Sequence, residues 1–189
     1  FSDAALTPQG RDLLASSAAR IVEDYDLDGV DIDWEYPGFG GLEGNVVRAE
    51  DKQNYTRMFA ALRARLDSLS QLTGKEYLLT TAVGGFKKFL DYTEMDKAQR
   101  YLDFVNLMTY DYHIGQEGAN APLYAPRSEC VARTVETYEK TGITKEALNL
   151  GIPLYGRGWD AKKGWIQASY DDILRDYKDF TYTYNPITH

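Results

Sequence analysis

Apolar residues along the chain switch repeatedly between two spacings. From 9 to 25, Leu13, Leu14, Ala18, Ile21, Val22 and Tyr25 fall at helical intervals behind a Thr7-Pro8 start. From 28 to 37 the period becomes two, with Val30, Ile32 and Trp34 alternating with Asp31, Asp33 and Glu35, which predicts a strand ended by Pro37-Gly38. A second helical stripe, Tyr55, Met58, Phe59, Leu62, Leu66 and Leu69, predicts a helix over 48–70 closed by Thr73-Gly74-Lys75. Strands are predicted at 77–83, 103–112 and 148–155, and helices at 92–101 and 127–141.

Strands that alternate with helices, and are apolar enough for burial on both sides, predict parallel βα units with helices covering the sheet. The strand centres near Asp31, Leu79, Leu107 and Gly151 are widely spaced. A closed eight-unit barrel takes ~250 residues, and this chain has 189. The expected fold is therefore α/β, an incomplete portion of a TIM (β/α)8 barrel over residues 1–155. After Tyr155 the alternation stops, and residues 156–189, rich in Gly, Tyr, Asp and Lys, read as the start of a small, abbreviated α+β insertion. The rest of the barrel is expected from other parts of the same protein. No internal repeat or low-complexity segment interrupts the pattern.

Composition narrows the chemistry. With 21 basic and 29 acidic side chains the net charge is −8, which argues against nucleic acid as a partner. Hydrophobic residues make up 43% and tyrosines number 15, too much apolar and aromatic content for disorder. No run approaches a membrane span, so no membrane partner is expected. Cys130 stands alone and the histidines are His113 and His189, so no disulfide, metal or cofactor is expected. There is no start Met or signal peptide in the chain, which reads as a segment of something longer or a processed product.

The acidic strand carries the candidate chemistry. Residues i, i+2 and i+4 of a strand share one face, so Asp31, Asp33 and Glu35 line up opposite Val30, Ile32 and Trp34. Carboxyls this close cannot all ionise freely, and a Glu that keeps its proton at neutral pH is a usable general acid. Trp34 falls by parity on the helix side and reads as core. Asp24, Asp26, Asp28, Gly29 and Glu35 also spell a calcium-loop pattern. Its last Glu would have to open a helix, whereas Tyr36-Pro37-Gly38 follows, so the calcium reading is set aside.

DGVDIDWE at 28–35 resembles the D-x-x-D-x-D-x-E signature of family 18 glycoside hydrolases, the chitinases and their relatives, and Asp28, Asp31, Asp33 and Glu35 match it completely. MTYD at 108–111 and YGRGW at 155–159 resemble two further family segments, in the right order. The resemblance runs roughly from the helix before barrel strand four to just beyond strand seven. It implies a (β/α)8 barrel with the site at strand C-terminal ends, and retaining hydrolysis of β-1,4-linked N-acetylglucosamine in which the substrate supplies the nucleophile. Glu35 is then the acid and later the base. Asp33 stabilises the oxazolinium ion, Asp31 shares a proton with Asp33, and Asp28 secures the strand start. Tyr110 pins the acetamide oxygen. Asp111 and Arg157 bond sugar hydroxyls, Met108 floors the −1 pocket and Tyr155 lines the cleft.

Other residues are open on this reading. Trp159 and Trp165 either stack on sugar rings or pack the insertion, and His113 is a rim residue. The family's S-x-G-G segment and its last-strand Trp do not occur here. The stretch His113–Gly118 replaces the Gly-x-Trp of many relatives and leaves the aglycone-side subsites undefined. The expected partner is chitin or its oligosaccharides, and secretion follows from that substrate. Rival readings are an endo-β-N-acetylglucosaminidase acting on N-glycans, which YGRGW disfavours, and a chitin-binding lectin, which the intact Glu35 disfavours.

Overall fold

The computed structural model describes residues 1–115, 118–179 and 185–186. Four strands, β1 (Gly29–Asp33), β2 (Leu78–Gly84), β3 (Phe104–Met108) and β4 (Leu148–Leu150), form one parallel sheet in sequence order. The register sets Asp31 beside Thr80, Asp33 beside Ala82, Ala82 beside Asn106 and Gly84 beside Met108. Each crossover is helical, as parallel neighbours require.

The first short helix, α1 (Ser2–Leu6), leads into α2 (Pro8–Asp24). Thr7 caps α2 by accepting a hydrogen bond from the Gly10 N–H at 3.0 Å, with Pro8 supplying a helix-ready φ at the first turn. The long α3 (Asp51–Thr73) buries Tyr55, Met58, Phe59, Leu62, Leu66 and Leu69, the stripe read from the sequence. It ends where Gly74 turns left-handed at φ 72° and donates to the Ser70 carbonyl. The core lies between these helices and one face of the sheet, where Ile32, Leu79, Val83, Val105 and Leu107 are buried. Trp34 belongs to it, 5% exposed and stacked on Phe1 at 5.6 Å. Each such large apolar side chain contributes ~1.5–3 kcal/mol by leaving water.

The structure corrects several boundaries. Burial on both sides holds for one face only: Asp31 and Asp33 are exposed on the other, which the polar Thr80, Asn106 and Asn149 share. The helix expected at 92–101 is α5 (Met95–Ala98) followed by a 3-10 turn at Gln99–Tyr101, and a helix that was not expected, α4 (Lys87–Asp91), precedes it, with Thr93 bonded back to the Phe89 carbonyl between them. The helix expected from 127 begins later, as α6 (Val131–Glu139), because Cys130 is still extended.

The strand expected over 148–155 stops at Leu150. Pro153 cannot donate to a ladder, and Tyr155 already belongs to β5 (Tyr155–Asp160), which pairs antiparallel with β6 (Gly164–Ser169) in a separate two-stranded sheet. A further helix, α7 (Tyr170–Asp176), follows with a capping box at Ser169 and Asp172. Expectations for Gln116 and Glu117, and for 180–184 and 187–189, lie outside the described residues. Among the described residues no helix is long and apolar enough to cross a membrane.

Candidate active site

The site grows from the C-terminal end of β1. The strand ends at Asp33. Glu35 stands just beyond it, exposed, before a cis peptide to Tyr36. Asp31 is gripped from two strands: its Oδ1 accepts from Thr80 Oγ1 at 2.5 Å and from Asn106 Nδ2 at 3.2 Å. Asn149 Nδ2 in turn donates to Asn106 Oδ1 at 3.1 Å, so one polar ladder crosses the inner face of the sheet from β1 to β4.

Asp33 has a different environment. Partial burial comes first in raising its pKa above the ordinary carboxylate range, and the nearby charges of Glu35 and Asp31 and a hydrogen bond with Glu35 push the same way. Tyr36 joins this cluster. Its ring packs on Phe39 at 5.0 Å and meets Phe86 edge-on at 5.5 Å, and burial and a hydrogen bond to Glu35 raise its hydroxyl pKa. A cleft of about 860 Å³ opens on this side, lined by Asp33, Glu35 and Tyr36, by Phe1–Asp3 and by the loop residues Gly41, Leu42, Gly44, Asn45 and Val46.

A second group closes the other flank. Beyond β3, Asp111 adopts a left-handed φ of 61°, a strained value that its fixed partners hold. Arg157 binds its carboxylate bidentately, Nε at 2.6 Å and Nη2 at 2.7 Å, and the Tyr155 hydroxyl donates to Oδ1 at 2.7 Å. Arg157 therefore holds Asp111 below the usual carboxylate range. Tyr110 packs against Gly151, where a Cβ would come within 2.6 Å of its ring. Burial raises its hydroxyl pKa first, and the charges of Asp33, Glu35 and Asp111 add to it, so the tyrosine faces both acidic groups. Met108, at the end of β3, is half-buried on the inner face.

The predicted residues thus gather at one end of the sheet, in two subgroups. Asp31 bonds to Thr80 and Asn106, whereas Asp33 engages Glu35. Asp111 and Arg157 engage each other. On the hairpin, Tyr155, Arg157 and Trp159 share one face, and Trp159 meets Trp165 edge-on at 5.7 Å. His113 bonds the Ala119 carbonyl at 2.9 Å. Thr80, Asn106, Asn149 and Tyr36 were missed. For the first three the available signal was polarity on the inward parity of otherwise apolar strands; Tyr36 lies beyond the end of β1. The calcium-like residues 24–35 run from the end of α2 into β1, with Asp26 paired to Lys75. Among the described residues no group of three or more His, Cys, Asp or Glu could hold a metal ion.

Parallel βα units in sequence order, with polar groups converging at their C-terminal ends, are a portion of a (β/α)8 barrel. Residues 1–186 match the model of glycosyl hydrolases family 18, and the chain belongs to that family. It is 41% identical over 174 residues to chitinase A1 of Niallia circulans, covering 85% of this chain and 25% of that one. Among solved structures it resembles the chitinase ChiW of Paenibacillus sp. str. FPU-7 at TM-score 0.90 and 35% identity, covering 97% of this chain and 18% of that one. It also resembles a family 18 N-acetylglucosaminidase from Paenibacillus barengoltzii at TM-score 0.89 and 33% identity, covering all of this chain and 62% of that one. The chain spans about a quarter of the length of the Niallia circulans chitinase.

Proposed function

We propose that the protein carrying this chain is a secreted chitinase that cleaves β-1,4 linkages between N-acetylglucosamine units with retention. The observation that carries the reading is the Asp33–Glu35 pair at the end of β1, where the two side chains are hydrogen-bonded and burial and neighbouring charge raise the Asp33 pKa. The similarity to named chitinases supports it.

Glu35 gives its proton to the glycosidic oxygen as the bond to the anomeric carbon breaks. The acetamide oxygen of the same sugar attacks that carbon, closing an oxazolinium ring. Asp33 carries negative charge next to the developing cation and accepts the acetamide N–H. Asp31, fixed by Thr80 and Asn106, takes up the proton it shares with Asp33 and so leaves Asp33 charged toward the cation. The Tyr110 hydroxyl donates to the acetamide oxygen and holds it in line. Glu35 then takes a proton from water, which opens the ring at the anomeric carbon and regenerates the sugar with its original configuration. Met108 floors the sugar, and Asp111, Arg157 and Tyr155 form the cleft wall that meets its hydroxyls. Residues 1–155 serve as barrel and 156–189 as the start of the α+β insertion.

The test is mass spectrometry of products from N-acetylchitohexaose, for the protein and its Glu35→Gln variant. Shorter oligomers from the parent alone support the reading. Intact hexamer that nevertheless binds indicates a lectin, and cleavage of N-glycoproteins instead indicates an endo-β-N-acetylglucosaminidase.

A further inference from the structure

The loop between β1 and α3 is tied at its end by a carboxylate that the reaction above does not use. Asp51, the first residue of α3, is 0% exposed. Its Oδ1 accepts from Ser2 Oγ at 2.6 Å, and its Oδ2 accepts from the backbone N–H of Gly38 at 3.2 Å and of Arg48 at 2.8 Å. Gly38 and Arg48 are the two ends of the loop that follows Glu35, so a single carboxylate ties both ends. The Arg48 guanidinium adds a second tie to α1, donating to Ser2 Oγ at 2.7 Å and to Asp3 at 2.5 Å.

The middle of the same loop returns to Glu35. Asn45 Nδ2 donates to the Glu35 carbonyl at 3.4 Å. At Gly41 a Cβ would lie 2.2 Å from that carbonyl oxygen, and φ is 83°, so only glycine passes there. A carboxylate kept for capping would accept from the first N–H groups of its own helix. The oxygens of Asp51 instead reach back along the loop and across to α1.

We propose that Asp51 is a positioning residue for Glu35. By closing the 38–48 loop it presses Gly41 and Asn45 onto the backbone carbonyl of Glu35, which fixes the main chain from which the Glu35 carboxyl reaches Asp33, without touching the reacting atoms. Three donors converge on the two oxygens of Asp51. An amide in its place would aim an NH2 at some of those donors, leaving buried groups unpaired. The inference rests on Glu35 being the acid.

The experiment measures kcat and KM on N-acetylchitohexaose for the full-length protein, per folded enzyme and well below its melting temperature. The variants are Asp51→Asn, Gly41→Ala and Glu35→Gln. Gly41→Ala pushes on the Glu35 carbonyl from the loop itself and serves if Asp51→Asn does not fold. Each of the first two is expected to lower kcat tenfold or more with KM within twofold. A purely structural role would lower the melting temperature and leave kcat of the folded enzyme intact, and wild-type kcat in either folded variant overturns the proposal. Wild-type turnover by Glu35→Gln would instead remove the reading of Glu35 itself.

Discussion

Two aspartates, one at the end of β1 and one just beyond β3, have opposite fates. Asp33 sits among like charges, with Glu35 and Asp31 nearby, and burial and repulsion raise its pKa. Asp111 sits in the fork of Arg157 under the Tyr155 hydroxyl, which lowers its pKa. The first environment raises the affinity for a proton; the second fixes a charge and anchors a loop. A carboxylate in a cleft is therefore not evidence of acid–base chemistry until its partners are known. On the proposed mechanism the uncompensated cluster is the reactive one, and the compensated cluster is the wall.

The contrast can be broken most directly at Glu35. Glu35→Gln is expected to lower turnover by about 10³-fold with oligosaccharide binding retained. Isothermal titration beside a rate assay checks this, and near-normal turnover would move the acid elsewhere. Asp33→Asn is expected to cost about 10²-fold in kcat, since it removes the charge facing the oxazolinium ion; a loss confined to KM would assign Asp33 to binding alone. Tyr110→Phe keeps the ring against Gly151 and deletes one hydroxyl, so kcat should fall about tenfold with little change in affinity. An unchanged kcat would end its positioning role.

On the compensated side, Arg157→Met leaves Asp111 half-buried without its cation. It should destabilise the fold by about 1–2 kcal/mol, between an exposed pair and a buried one, read as a fall in the denaturant midpoint. No shift in the midpoint would mean that the clamp contributes nothing to the fold.

The smallest effect sharpens the comparison most. An unfolded Asp titrates near about 3.9. Asp111, depressed in the fold, contributes stability above that pH and loses it as pH falls through its lowered value. Asp33, raised in the fold, does the reverse: its ionised form is penalised at neutral pH, and the penalty disappears as pH falls through the raised value toward the unfolded one. Melting curves against pH should therefore show Asp33→Asn more stable than the parent at neutral pH, converging with it on acidification. Asp111→Asn should be less stable than the parent at neutral pH and also converge. Parallel curves for both would dissolve the contrast.

Much of this architecture was legible in the residues. The α3 stripe from Tyr55 to Leu69 and the period-two run ending at Glu35 each use neighbours within a few positions, so local spacing sufficed to place them. The break of β4 before Pro153 was readable in principle but was overridden by the apolar run through Tyr155. The grip on Asp31 was not readable, because Thr80 lies 49 residues away and Asn106 lies 75. Nor was the pairing of Asp111 with Arg157 across 46 residues, or of Ser2 with Asp51 across 49.

The sequence by itself determined the periodicities, the helix ends at Thr7 and Gly74, the parity that puts Asp31, Asp33 and Glu35 on one face, and the motifs that tie the chain to its family. Those properties depend on local backbone geometry and on short spacings. Only the tertiary structure decided which carboxylate meets a cation and which meets another carboxylate. Proton affinity depends on what lies within a few ångströms, and those neighbours come from strands and loops far away in the chain.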